Sequence, residues 1–353
     1  MPGSQCGGSP TQASVVAMKD SLPELEVTLA DVGERAALSA IFPLLPRGEN
    51  LVLGPGDDSA IVALGQSQVV ISCDMMIEGP DFNREWSSPV DIGRKAIASN
   101  AADIAAMGAT VVAYEIAVAA PPTTKLADLV DLASGFARGI AELSPGASIA
   151  GGDLSTAPVL TIAVTVLGDL LGTKAVTRSG AKPGDVVAVG GDLGLSATGL
   201  RALEQAGSDR DVIAALVADN AAVRHHLAPV PPLHLGPQAG VAGASAMMDI
   251  SDGLVLDATR MARASVVDID LDHALLTKAL GANNTISEHD ALYGGEDHSL
   301  LACFPPDAVI PEGFVMIGRV VESPGSPRVT YQGKDLSLDP GGWDPFQDAS
   351  VDW

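Results

Sequence analysis

The hydrophobic positions of the chain alternate between short strand-like runs and longer segments typical of helices. Short runs rich in β-branched residues and flanked by turn residues predict strands. They span residues 59–64, 68–73, 111–119, 161–167, 186–189, 246–250, 269–271 and 314–320. The segments predicted as helices span residues 32–42, 88–107, 126–143, 196–206, 212–225 and 253–264. Because strands and helices alternate in both halves, we expect α/β or α+β domains.

The helix predicted at 88–107 has a well-defined start. Ser88 stands at the N-cap, Pro89 at the first helical position and Asp91 at the third, and Gly108 follows the last turn. Asp103 lies inside this helix among alanine and isoleucine, three residues after Asn100, so the two polar side chains share a face. A carboxylate in such apolar surroundings needs a partner.

The length of 353 residues suggests two domains. Residues 1–22, rich in Gly, Ser and Gln, are predicted to be a flexible tail. We expect a first domain over residues 23–170 and a second over 171–350, because the turn-rich segment 178–185 precedes a new strand. Apolar residues make up 47% of the chain, which is enough for two real cores.

The net charge of −24 argues against nucleic acid as a partner, since such binding needs a basic surface. A phosphate ligand is expected to arrive with a divalent cation that offsets the repulsion. The three cysteines, Cys6, Cys73 and Cys303, form no cluster, as is typical of reduced cytosolic thiols. No signal-peptide pattern or apolar run of 18 residues occurs, so we expect a soluble, cytoplasmic protein with no membrane contact.

Aspartates recur beside predicted strands and turns. Any one of them could be an ordinary turn residue or a helix cap. Together they predict a shared cation site, and oxygen ligands without His or Cys favour Mg²⁺. The aspartates in question are Asp57 and Asp58 in GPGDDSA, Asp74 after VVISC, Asp103, Asp153 after a glycine pair, and Asp249 and Asp252 in MMDISDG.

Glycine pairs next to these acids would let backbone N–H groups approach phosphate closely. This combination suits a nucleoside triphosphate with several Mg²⁺ ions. No P-loop supports it, since Gly333-Lys334 lacks the rest of that motif, and no protein-kinase motif occurs. A phosphotransferase of this kind would rely on metal ions where others use lysine.

A series of motifs gives a specific resemblance. GPGDDSA, SCDMMIEGPDF, KAIASNAADIAAMGA, AGGDLS, VTRSGAKPGD, MDISDGL and YGGEDHSL follow one another over residues 54–301. This series resembles the thiamine-monophosphate kinases, in the superfamily of aminoimidazole ribonucleotide synthetase and selenophosphate synthetase. The resemblance implies an N-terminal α/β domain that binds ATP and forms a homodimer, and a C-terminal α/β domain that closes over the cleft.

The resemblance also implies roles for individual residues. The implied magnesium ligands are Asp58, Ser72, Cys73, Asp74, Asp103, Asp153, Asp249 and Asp252, with Ser72 and Cys73 acting through backbone or side chain. The implied catalytic carboxylates are Asp74, Asp103 and Asp252. The implied ATP contacts are Gly152, Arg178, Ser251 and Phe136, and the implied thiamine contacts are Asp81, Glu296 and Trp343.

The implied reaction is direct in-line transfer of the γ-phosphate of ATP to thiamine monophosphate, giving thiamine diphosphate. The acceptor phosphate is already ionised near pH 7, so the reaction needs no general base. Two alternatives stay open at this point. One is another ATP-dependent synthetase of the superfamily with a different acceptor, and the other is a non-catalytic acidic protein that binds divalent cations.

Overall fold

The computed structural model describes residues 27–28, 31, 40–53, 61–62, 68–280, 286–337 and 341. Several sequence predictions lie outside these residues: the tail at 1–22, most of the helix at 32–42, the GPGDDSA turn with Asp58, and Trp343. Among the described residues the strands form three sheets. No described helix has the length and hydrophobicity needed to cross a lipid bilayer.

The first domain is built on a four-stranded sheet in the order β3-β6-β4-β5. Only β4 and β5 are parallel within it. Helices α1 and α2 cover one face, where Ile97 and Phe136 pack against Ile162 and Val166. A 3₁₀ turn at Phe42–Leu44 and a small antiparallel pair, β1 and β2, precede the sheet. The bounds are β1 Leu51–Leu53, β2 Ile61–Val62, β3 Val69–Ile77, α1 Pro89–Ala106, β4 Thr110–Ala120, α2 Leu126–Leu143, β5 Ser148–Thr156 and β6 Thr161–Asp169.

The second domain is built on a seven-stranded sheet in the order β13-β12-β9-β11-β7-β10-β8. Its core lies between this sheet and α7. The strands are β7 Val186–Gly190, β8 Ala246–Ile250, β9 Asp268–Leu271, β10 Ser299–Phe304, β11 Phe314–Val321, β12 Val329–Tyr331 and β13 Lys334–Asp335. The helices are α3 Leu195–Ala206, α4 Arg210–Asp219, α5 Ala221–Leu227, α6 Leu235–Val241, α7 Leu254–Ser265, α8 His273–Ala279 and α9 Glu288–Tyr293.

Helix α1 joins the two domains. It starts with the predicted capping box, in which Ser88 and Asp91 bond each other's backbone N–H groups. Its last turn packs into the second domain, where Ala105 contacts the cluster around Leu235 and Met247. Small side chains allow this approach: a Cβ on Gly236 would lie 2.1 Å from the Ala105 carbonyl oxygen. Polar residues on α1 therefore lie between the domains.

The structure corrects three local predictions. Asp74 does not follow a strand, because β3 continues to Ile77, and Asp153 lies within β5, which continues to Thr156. The helix predicted at 212–225 is two helices, α4 and α5. They separate at Asn220, whose side chain accepts hydrogen bonds from the first N–H groups of α5.

Candidate active site

The first part of the candidate site lies where β3 faces α1. The Ser72 hydroxyl donates to Asp103 Oδ2 over 2.6 Å, and the Asp74 N–H donates to Asn100 Oδ1 over 3.1 Å. The predicted shared face of Asn100 and Asp103 is thus the face that meets β3. Ser72 and Asp74 are two residues apart on a strand, so their side chains point to the same side.

Cys73 points to the opposite side of the sheet. Its thiol accepts a hydrogen bond of 3.4 Å from Thr165, its partner across β6. Side chains of successive strand residues alternate between faces, so the thiol lies away from Asp103. Cys73 could therefore contribute to the predicted metal site only through its backbone.

The second domain supplies Asp249, at the end of β8. The residue is 4% exposed, and its Oδ2 lies 3.6 Å from His298 Nδ1. Burial and the negative charge of Asp249 raise the pKa of Asp103 from 3.8 to about 7. The same two causes raise the pKa of Asp74. Carboxylates from both domains therefore lie near enough to repel one another.

The turn after β8 carries the other predicted residues of this domain. Asp257, a buried residue of α7, accepts hydrogen bonds from the N–H groups of Ser251 and Asp252 over 3.1 and 3.0 Å. Arg260 bonds Asp252 over 2.5 Å and Asp257 over 2.7 Å. Burial and the charge of Asp249 raise the pKa of Asp257 to about 7. The turn is thus held by two residues, Asp257 and Arg260, that the sequence patterns did not single out.

Gly253 closes this turn with φ of +112°, and an added Cβ would lie 2.7 Å from the Tyr293 carbonyl oxygen. We expect Gly253→Ala to lower the free energy of unfolding by about 3 kcal/mol, since it adds a steric clash to backbone strain. Gly243→Ala is the matched control, because Gly243 has φ of +83° but nothing within 4 Å of its Cβ position. The control is expected to cost about 1–2 kcal/mol. Urea unfolding measures the free energy of unfolding of both variants. Equal losses of this free energy would contradict a steric clash at Gly253.

Asp81 and Glu296, the predicted thiamine contacts, come together although they belong to different domains. Burial and the charge of Glu296 raise the pKa of Asp81, and a hydrogen bond from the Ile77 N–H offsets part of this rise. Between them lies Lys95 of α1, which donates to Glu296 Oε2 over 2.6 Å and to the Asp81 carbonyl over 3.0 Å. Sequence reasoning missed Lys95, since a single lysine on an apolar helix usually extends to solvent.

Other predicted residues lie apart from this centre. Across the first sheet, Asp74 on β3 is paired with Val164 on β6. Val164 is paired with Ile116 on β4, and Ile116 is paired with Gly152 on β5. Gly152 and the neighbouring Asp153 are thus three strands from Asp74, or about 14 Å at the usual strand spacing. Both are exposed, as the sheet edge allows.

Arg178 and Phe136, two of the predicted ATP contacts, have very different surroundings. Arg178 is exposed in the segment before β7, where its carbonyl accepts a hydrogen bond from Ser265. Phe136 is 5% exposed and packs in the first-domain core, so its placement does not support the predicted contact with adenine. In the part of the chain that the structure describes, no three Asp, Glu, His or Cys side chains are close enough to hold a metal ion unaided.

Comparison with known proteins gives the family. The family model of the AIR synthase related protein N-terminal domain matches residues 56–170 of this chain, and the family model of the C-terminal domain matches residues 182–326. The thiamine-monophosphate kinase of Mycobacterium tuberculosis is 40% identical over 334 residues, which are 92% of this chain and 95% of that protein. That of Corynebacterium glutamicum is 37% identical and covers 95% of this chain and 100% of its own length.

Solved structures agree with this comparison. The structure of AaThiL complexed with AMPPCP and TMP has a TM-score of 0.66 and 28% identity, covering 81% of this chain and 90% of that chain. The prediction of a two-domain architecture like that of aminoimidazole ribonucleotide synthetase is confirmed. The chain belongs to the AIR synthase related proteins and, within them, to the thiamine-monophosphate kinase family.

Proposed function

We propose that this protein transfers the γ-phosphate of ATP to thiamine monophosphate, giving thiamine diphosphate by direct in-line transfer. The observation that carries the proposal is the meeting of Asp74 and Asp103 from one domain with Asp249 from the other. The relatives add the identity of the substrates, since they are thiamine-monophosphate kinases and one is solved with AMPPCP and TMP.

The carboxylates at the domain boundary have the donor chemistry of a Mg²⁺ site whose coordination the nucleotide completes. Asp74, Asp103 and Asp249 offer carboxylate oxygens, the ligands that Mg²⁺ prefers. Burial and the negative charge of Asp249 raise the pKa values of Asp74 and Asp103, and a cation would relieve this repulsion. When bound, Mg²⁺ supplies charge neutralisation between the two polyanionic substrates. Ser72 and Asp252, together with Asp58, Asp153 and the backbone of Cys73, complete the ligands that the resemblance implies. Phosphate oxygens of ATP would provide the remaining coordination.

The chain's own residues bind and orient the substrates. Asp103 is held by Ser72, and the Ser251-Asp252 turn is held by Asp257. Both anchors place carboxylates before ATP arrives, which is the preorganisation that phosphoryl transfer needs. The acceptor is an ionised phosphate, so none of these carboxylates has to act as a base.

The remaining parts of the proposal concern recognition. The negative Asp81 and Glu296 suit the cationic thiazolium of the acceptor, and Trp343 is assigned to the same moiety. Gly152, Arg178 and Ser251 are assigned to the nucleotide. The reaction is placed in the cytoplasm, where ATP is available and the free thiols of Cys73 and Cys303 stay reduced.

A homodimer is also part of the proposal. Val69, Ile71 and Met75 lie on the side of edge strand β3 that faces away from α1, and they are 43%, 64% and 58% exposed. An exposed apolar face at a sheet edge is typical of an interface. Neither nucleic acid nor a membrane is proposed as a partner, given the net charge of −24.

The function is tested by incubating the purified chain with ATP, Mg²⁺ and thiamine monophosphate and measuring ADP and thiamine diphosphate. We expect equal amounts of the two products and little ADP without the acceptor. ADP formed only with a different acceptor would identify another synthetase of the superfamily. Cation binding with no ADP under any condition would favour the non-catalytic alternative.

Arg178→Ala tests the assignment of a nucleotide contact. The guanidinium is exposed and suited to phosphate, so its loss should raise the KM for ATP by about tenfold, as for one charge-assisted hydrogen bond. The KM for thiamine monophosphate should change far less. Steady-state kinetics measures both, with the exposed Arg210→Ala at the start of α4 as a control. Equal changes in the two KM values would contradict the assignment.

A further inference from the structure

The loop at residues 294–298 presents Glu296 from an unusual backbone conformation. Glu296 and His298 have φ of 64° and 53°, values that residues other than glycine rarely adopt. Hydrogen bonds to the rest of the second domain hold the loop in place. The Glu296 N–H donates to the Ser251 carbonyl over 2.7 Å, and the Asp297 carboxylate accepts hydrogen bonds from the N–H groups of Gly194 and Ser196. Strain of this kind persists where the surroundings fix it, commonly at functional sites.

Lys95 reaches Glu296 from the first domain. Its ammonium lies 2.6 Å from Glu296 Oε2, and the two side chains differ sharply in exposure, at 4% for Lys95 and 39% for Glu296. The ammonium is therefore buried inside the protein, while the Glu296 side chain is partly exposed to solvent. A ligand that approaches from solvent would meet Glu296 rather than Lys95.

Lys95 is the cationic side chain that directly contacts the Glu296 carboxylate. His298 lies farther along the loop and faces Asp249, whose negative charge raises the pKa of this imidazole against the effect of burial. Burial and the nearby ammonium lower the pKa of His226 to about 4, so this imidazole is neutral at pH 7. His226 Nδ1 lies 2.9 Å from the Ser196 hydroxyl and 3.8 Å from Glu296 Oε2. Asp81 is the second carboxylate of the group. When both carboxylates are ionised, the trio of Asp81, Glu296 and Lys95 carries a single net negative charge.

We infer that Lys95 is a positioning residue that gives the acceptor pocket its preference for a singly charged cation. It fixes the Glu296 carboxylate across the domain boundary and neutralises one of the two negative charges. The inference deepens the proposed function and rests on it, because the thiazolium of thiamine monophosphate is the cation concerned. Without Lys95, Glu296 would turn toward solvent or take up a proton beside Asp81, and either change weakens the cation contact.

A double-mutant cycle tests the inference on the full chain. Lys95→Met and Glu296→Gln should each raise the KM for thiamine monophosphate by about tenfold, with the KM for ATP within about twofold of the starting protein. Because Lys95 acts through Glu296, the double variant should be no worse than Glu296→Gln alone. The control is Lys278→Met, which removes an exposed lysine from α8 and should change neither KM.

Three results would overturn the inference. They are additive effects in the cycle, equal changes in both KM values, and a Lys95→Met variant that is less stable to heat but has an unchanged acceptor KM. A purely structural ion pair between the domains would give one of these.

A binding measurement separates this inference from the proposed function. Calorimetry with thiamine and with a neutral thiophene analogue requires no turnover. We expect the intact chain to prefer thiamine, and Lys95→Met to lose most of that preference. If the preference depends on Lys95 but no thiamine diphosphate forms, the inference stands and the proposed function fails. If thiamine diphosphate forms but the preference does not depend on Lys95, the inference fails alone.

Discussion

Asp103→Asn is expected to reduce kcat by about a thousandfold, the size of effect seen when one preorganised electrostatic group is lost from an active site. Asp103 lies between the domains and accepts a hydrogen bond from the Ser72 hydroxyl. The negative charges of Asp249 and Asp74 act on its carboxylate. Asparagine keeps the shape and one oxygen but removes the negative charge that a cation needs. Steady-state kinetics with saturating ATP, Mg²⁺ and thiamine monophosphate measures the change.

The same substitution should leave the fold intact. The pKa of Asp103 is raised to about 7 in the folded chain, so its contribution to stability is largest at low pH and falls as pH rises from about 4 to about 7. At about pH 8 without metal, Asp103→Asn should therefore unfold at no lower urea concentration than the starting protein. Asp219→Asn, at the exposed end of α4, is the control. Loss of the folded state in Asp103→Asn would make this residue structural.

Removing divalent cations is expected to abolish turnover. The chain carries a net charge of −24, and its carboxylates would repel a triphosphate that arrives without metal. With a chelator present we expect kcat to fall by about a thousandfold or more, and added Mg²⁺ to restore it. The non-hydrolysable analogue AMPPCP should raise the melting temperature only together with Mg²⁺.

Asp74→Asn provides the matching variant for this metal dependence. Asp74 shares its face of β3 with Ser72, and burial together with the charge of Asp249 raises its pKa. We expect the variant to need a much higher Mg²⁺ concentration for the same thermal shift. Turnover that persists in chelator, or a shift with AMPPCP alone, would contradict a metal-dependent site.

Local signals in the sequence predicted much of the architecture. The capping box at Ser88 and the helix Leu126–Leu143 are present as predicted, because caps and continuous apolar spacing act within a few residues. The shared face of Asn100 and Asp103 also follows from helix geometry alone. Their partners, Ser72 and the N–H of Asp74, were not predictable in this way, since they depend on how β3 packs on α1.

The features that sequence reasoning missed depend on contacts between distant segments. Lys95 and Glu296 are 201 residues apart, and no local pattern links them. Asp257 looks like a surface residue of a helix start, but it is buried because it binds the turn that precedes α7. The resemblance implies an adenine contact for Phe136, but the packing of α2 in the first-domain core buries this side chain, and no local pattern indicates that packing.

The most direct measurement is anomalous diffraction from crystals grown with Mn²⁺, AMPPCP and thiamine monophosphate. Mn²⁺ takes the same oxygen ligands as Mg²⁺ and can be located by its anomalous signal. We expect manganese peaks within about 2.3 Å of carboxylate oxygens of Asp74, Asp103 and Asp249, next to the triphosphate. A triphosphate bound elsewhere, or peaks with no ligand from these three residues, would contradict the account.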